Sequence, residues 1–200
     1  FTKTDSTDGP IELNVWKNSS GKLVVSYHWD NDGTATHGNV QNTGCAEQTP
    51  ANEWIHVAMT GTSSWQKLYI NGFLCGSGTN TYNPGANDVD FLIGADDAGY
   101  DYEGRLDNLA IYNTTLSQQQ IRDRMHNDLT GTEYGLVAYY PVIDTGDMLV
   151  DVGPHGLHGV MTSDLNENSD RVATDVPTGD SRIGAFENTV STFDSRQTTV

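Results

Sequence analysis

Carboxylates clustered near turns are the most conspicuous chemistry in this chain, and binding of a hard cation is what they would do. Calcium takes oxygen ligands from Asp, Asn and carbonyl groups. Three local groups offer them: Asp30-Asn31-Asp32-Gly33, Asp96-Asp97 with Asp101, and Asp144, Asp147 and Asp151. Asp30-x-Asp32 opens like a helix-loop-helix calcium loop, but the Gly at the sixth position and the Glu at the twelfth are missing, which rejects that motif. Asp96, Asp97 and Asp101 are interleaved with Tyr100 and Tyr102. Acceptors for sugar hydroxyls beside aromatic faces are the chemistry of a lectin rim, so these five are candidate ligand contacts. Trp65 at a turn and Trp29 at a strand end are further candidates, each also readable as a packing residue. His155 and His158 sit in a Gly-rich turn without a thiol or a third histidine, which argues against zinc.

Catalysis finds little support. Glycosidases need two carboxylates that converge across the scissile bond, and no strand carries the alternating acidic signature that would supply them. Glu12 and Glu53 are isolated, and Glu103 precedes a Gly turn. The chain has no Gly-x-Ser-x-Gly elbow and no Gly-rich phosphate loop. A non-enzymatic protein is expected.

The elements that must position these residues are strands. Trp54 to Met59 alternates with bulk on both sides, as in a strand covered on both faces. Gly61 to Ser64 turns the chain. Lys67 to Ile70 is a second strand ending at Asn71-Gly72, the dipeptide that most readily gives positive φ at both centres of a two-residue hairpin turn, and Phe73-Leu74-Cys75 runs back from it. Val89 to Gly94 and Arg105 to Tyr112 read as two more strands, with Asp107 in phase with Leu109 and Ile111 and so facing an apolar layer. Ser117 followed by Gln120 is a capping-box pattern for a helix of about 117 to 126, whose apolar stripe is Ile121 and Met125. His56 in a central strand reads as a hydrogen-bonded core histidine.

Five segments in order carry a resemblance: Trp54-x-His56-Val57-Ala58-x-Thr60, Leu68-Tyr69-Ile70-Asn71-Gly72, Ile93-Gly94, Gly104-x-Leu106-Asp107-Asn108-x-x-Ile111-Tyr112-Asn113 and Leu116-Ser117-x-x-x-Ile121. Together they resemble the laminin-G-like branch of the concanavalin A-like jelly rolls. The resemblance implies an all-β, two-sheet antiparallel jelly-roll sandwich with one short helix. It also implies a structural calcium, held by the Asp of the Gly-x-Leu-Asp strand and by the Asp and carbonyls around a Gly-x-His-Gly turn. Those positions are Asp107, Asp151 and the backbone near Gly156 or His158. A carboxylate facing a sheet interior needs a metal or hydrogen-bond donors, so Asp107 has its own reason for a ligand, with backbone or His158 as the other partners it could take.

Residues 135 to 141, 151 to 159 and 184 to 186 resemble the opening strands of the same family, whereas Phe1-Thr2-Lys3 looks like its middle. Three organisations fit this permuted or strand-exchanged order. Residues 1–134 form the main part of a sandwich that 135–200 completes within the same chain, since permutation costs little where termini are close. Otherwise 135–200 pairs with a neighbouring protomer, because a sheet lacking strands exposes edges that demand a partner. In the third, the chain is a fragment of a tandem array. Residues 162 to 182, polar and rich in Asp, Asn, Ser and Thr, read as a long surface loop.

Two hundred residues suffice for one such sandwich. Ten basic against 27 acidic residues, a net charge of −17, argue against nucleic acid or an anionic membrane as partner, because phosphate binding needs Lys and Arg. The acidity fits calcium as counter-ion and equally fits solubility in salty surroundings. No apolar run approaches the roughly 18 residues that span a bilayer, and the first residues carry no signal-peptide pattern. Cys45 and Cys75 flank neighbouring strands, where they would form a disulfide and indicate an extracellular setting; two separate buried thiols are the alternative. Asn18-Ser19-Ser20 and Asn113-Thr114-Thr115 are glycosylation sequons. The expected function is a calcium-stabilised extracellular recognition or adhesion module for a glycan or cell-surface ligand. The competing class is a subunit of a surface filament that assembles with copies of itself or with adjacent domains.

Overall fold

A computed structural model describes residues 2–3, 11–18, 23–29, 40–41, 45, 53–79, 90–94, 104–142 and 148–160. The chain divides into two compact units, Phe1–Gly104 with Thr115–Arg122, and Arg105–Thr114 with Asp123–Val200.

The first unit holds two antiparallel sheets. One has the order β1-β2-β3-β4, from β1 (Thr2–Lys3), β2 (Ile11–Lys17), β3 (Leu23–Trp29) and β4 (Val40–Gln41). The other is β5-β6-β7, from β5 (Val57–Gly61), β6 (Trp65–Ile70) and β7 (Phe73–Thr79). Side chains of a strand alternate between faces, so Leu13 and Val15 of β2 point the same way, and Val15 lies opposite Val25 of β3. Val25, Val40, Cys45, Leu68, Ile70 and Cys75 form the buried core, with Leu13, Val15, Ile55, Val57 and Met59 packed against it. The sheets approach closely at Gly76, where a Cβ would stand 2.4 Å from the Gln41 carbonyl oxygen. Only glycine fits there. A disulfide between Cys45 and Cys75 ties this core together.

The expected hairpin is present. Ile70 pairs with Phe73 across Asn71 (φ 48°) and Gly72 (φ 73°), both left-handed, as a turn matched to strand twist requires. Asn71 also binds the third strand's approach: its N–H donates to the His56 carbonyl and its Oδ1 accepts from the His56 N–H, each at 2.8 Å. That exchange takes the place of a ladder bond, and regular pairing of β5 begins at Val57 rather than Trp54. The turn expected at Gly61 to Ser64 is closed by Thr62 N–H on the Trp65 carbonyl, 2.8 Å.

Helix α1 (Gln118–Arg124) starts in the first unit and ends in the second. Its capping box is reciprocal: the Ser117 N–H donates to Gln120 Oε1 (2.9 Å), and the Gln120 N–H donates to Ser117 Oγ (3.3 Å). Ile121 is its buried residue, and Met125 falls beyond its last turn.

In the second unit β8 (Leu109–Tyr112) pairs antiparallel with β9 (Leu136–Tyr140), and β10 (Met148–Leu149) with β11 (Gly159–Val160). A segment from beyond the helix thus makes a ladder with one that precedes it. Two expected strands are corrected. The strand expected over Arg105 to Tyr112 begins only at Leu109, because Asn108 is left-handed (φ 52°) and its N–H bonds back to Asp107 Oδ1 at 2.8 Å. Asp107 therefore sits half-buried ahead of the β8 ladder rather than within it. Within Val89 to Gly94 the described residues 90–94 hold only a single bridge at Leu92, the chain bending at Ile93 and at Gly94 (φ 82°).

Candidate functional site

Alternation along β6 builds the first site. Gln66, Leu68 and Ile70 are fully buried on the inner face, so Trp65, Lys67 and Tyr69 share the outer one. Beside them lie Leu74 of β7 and the stretch Thr115 to Gln118 with Gln120, which together line an open groove of about 430 Å3. Three contacts fix the groove's helical wall. Gln118 Nε2 and Arg122 Nε both donate to the Gly72 carbonyl, at 2.8 and 2.9 Å, and the Arg122 guanidinium stacks 5.1 Å from the Phe73 ring centre. The hairpin turn and the helix start are thereby locked to each other. On the floor, Lys67 Nζ lies 4.9 Å from the Trp65 ring centre, and burial pushes the Tyr69 phenol up from its usual pKa.

The capping box spends part of the wall. Gln120 Oε1 accepts from both Ser117 N–H and Ser117 Oγ–H, each at 2.9 Å, which leaves the Gln120 Nε2 amide with donors to offer. Gln118 is spent the other way, its Nε2 given to Gly72 and its Oε1 left as an acceptor. Among the described residues the lining contains one ammonium and no carboxylate.

A second constellation surrounds Asp151, buried with 4 % of its surface exposed. Its Oδ1 accepts from the N–H groups of Tyr139 (2.8 Å) and Gly153 (2.7 Å), and its Oδ2 from Leu157 N–H (2.7 Å). The Val152 N–H donates in turn to the Tyr139 carbonyl at 2.9 Å, so residues 151 and 152 occupy the edge of β9 that β8 leaves open. Tyr140 seals the turn by donating its hydroxyl to the Leu157 carbonyl, 2.6 Å. Burial raises the Asp151 carboxyl, but the three backbone donors hold it below its usual value. Burial and the Asp151 charge push the Tyr140 phenol up.

The residues expected to hold calcium are engaged in hydrogen bonds. Asp151 takes three backbone donors, which supply the positive partial charge a cation would have brought. His158 Nδ1 accepts the Asp151 N–H at 3.0 Å, which puts the proton of the neutral ring on Nε2 and leaves no lone pair for a metal. The Gly156 carbonyl accepts the His158 N–H at 2.9 Å, and Asp107 accepts from Asn108. Among the described residues no group of three or more His, Cys, Asp or Glu could hold a metal ion.

Of the expected ligand contacts, Trp65 lines the groove. Asp96, Asp97, Tyr100, Asp101 and Tyr102 lie outside the described residues, as do Asp30 to Gly33, Asp144 and Asp147; Trp29 closes β3, and its side chain is likewise outside them. Asn113 is exposed, just after β8, and Asn18 is half-buried just after β2, with the rest of its sequon outside the described set. Sequence reasoning missed Lys67, Tyr69, Gln118 and Gln120 as groove residues. The i, i+2, i+4 spacing of Trp65, Lys67 and Tyr69 was a signal for the first two, whereas Gln118 and Gln120 are brought in by the helix.

A laminin-G family model, described as the concanavalin A-like lectin/glucanases superfamily, matches residues 1–122, more than half of the 200. No curated protein matches the chain. Among solved structures it is similar to an S-layer domain-containing protein from Clostridium thermocellum, at 23 % identity and a TM-score of 0.36, over 62 % of this chain. This chain spans 60 % of that one.

Proposed function

We propose that this chain, which belongs to the concanavalin A-like lectin/glucanases superfamily through residues 1–122, is a non-enzymatic extracellular recognition module that holds a glycan in the groove beside β6. The observation that carries the reading is the groove's composition. Trp65 offers aromatic surface, while Lys67, Gln118 and Gln120 offer polar groups on β6 and a capped helix start. A sugar ring needs this combination, an apolar face for its C–H groups and directed partners for its hydroxyls. Among the described residues the lining includes no carboxylate pair of the kind that cleaves a glycosidic bond, which supports retention of the glycan unchanged. The Cys45–Cys75 disulfide fits an oxidising compartment. No described helix is long and apolar enough to cross a membrane.

A glycan array probed with the wild-type chain and with Trp65→Ala tests this. Wild type should be retained on at least one glycan without releasing reducing sugar, and Trp65→Ala should bind about tenfold more weakly while still folded. Retention on none, with polymerisation on size exclusion, would replace the reading with a self-assembling structural subunit.

A further inference from the structure

We infer that the groove beside β6 selects a sugar bearing a carboxylate, a uronic-acid residue of an acidic polysaccharide, and that Lys67 reads its charge. The inference rests on the proposed glycan reading of the groove and adds the class of sugar.

Lys67 is half-buried between Trp65 and Tyr69 on one face of β6, and its ammonium is steered by the Trp65 ring at 4.9 Å. Among the described residues it has no ion-pair partner. In a chain with 27 acidic residues and ten basic ones, a half-buried ammonium in a groove whose described lining holds no carboxylate leaves a local positive site on an otherwise negative molecule. The neighbouring polar groups have the same bias. Gln120 has only its Nε2 donors to give, because Ser117 occupies its Oε1. Two donors, one of them charged, suit the two oxygens of a carboxylate. Gln118 Oε1 then remains to accept from a ring hydroxyl, and Trp65 to meet the ring face. The aromatic floor favours a sugar acid over an acidic peptide, which has no flat C–H face to lay on it. A net charge of −17 rules out general attraction to polyanions, so any selectivity for acid sugars must come from this contact, and contact-range attraction survives physiological salt where long-range repulsion is screened.

The test compares the wild-type chain with Lys67→Met, which keeps the apolar stem over Trp65 but not the charge, and with Lys67→Arg, which keeps the charge. Each is measured on polygalacturonate, on its fully methyl-esterified form and on poly-L-glutamate, with thermal melts to establish that the variants are folded. Wild type should prefer polygalacturonate over both other polymers. Lys67→Met should bind it about tenfold more weakly, the worth of one charge-assisted hydrogen bond, and Lys67→Arg should keep most of the affinity. Equal binding to the acid and its ester overturns the carboxylate inference and leaves the glycan reading standing. Binding to poly-L-glutamate as tight as to polygalacturonate overturns the choice of a sugar, and binding to none of these or of the array glycans overturns both. Unchanged affinity in a folded Lys67→Met removes Lys67 from the site.

Discussion

Asp151→Asn asks whether a carboxylate held by backbone organises the stretch from Asp151 to Leu157 beside Tyr139. The amide keeps one oxygen, which can still accept from Tyr139 and Gly153, but it turns an N–H toward the N–H of Leu157 and removes the negative charge from three donors. Hydrogen bonds to a charged group contribute about 1.5–3 kcal/mol each, and a buried donor left unmade costs about 1–3 kcal/mol. Because these effects overlap, a net loss of about 3 kcal/mol is expected. For a chain of this size that corresponds to a Tm lower by about 6–12 °C. Urea and thermal unfolding at pH 7 measure it directly. The pH dependence supplies the stricter test. Asp151 has a folded pKa below its unfolded one, so its contribution is fully present above the unfolded value of about 3.9 and is lost as pH falls through the lower folded value. The difference between wild type and Asp151→Asn should therefore be full at pH 7 and shrink toward zero in stronger acid. A chelator should leave the wild-type Tm at pH 7 unchanged where the three backbone donors alone satisfy Asp151. A loss under about 0.5 kcal/mol, or one that persists undiminished at low pH, would refute the reasoning, and a chelator-sensitive Tm would restore the cation.

Other consequences are local to the first unit. Asn71→Ala places a Cβ-bearing residue without a side-chain acceptor at φ 48° and orphans the His56 N–H, so urea unfolding should show a loss of about 2 kcal/mol. Asn71→Asp, which keeps the acceptor, should recover most of it. Replacing both Cys45 and Cys75 by Ser opens a loop closed over 30 residues, and unfolding in denaturant should report about 3–4 kcal/mol less stability. The same loss on adding reductant to the wild type would tie the effect to the bond rather than to the serines.

Signals that act within a few residues of themselves were legible in the sequence alone. Asn71-Gly72 dictates a left-handed two-residue turn because few other dipeptides tolerate positive φ twice, and Ser117 with Gln120 dictates a helix start because the two side chains reach each other's backbone. The positions of Cys45 and Cys75 on either side of neighbouring strands marked the disulfide. Tertiary structure decided where spacing was ambiguous between partners. The apolar alternation through Asp107 continued a strand on paper, but the Asn108 turn interrupts it, since Asn satisfies a left-handed backbone that periodicity does not register. Asp151 is expected as a metal ligand from its residue type and the family resemblance, and neither says that the carboxylate will meet three amide protons. The groove is the clearest case. Trp65, Lys67 and Tyr69 were fixed on one face by the two-residue period of the strand, but Gln118 and Gln120 come from about fifty residues further along, and only the shared hold on the Gly72 carbonyl sets the helix start beside that face.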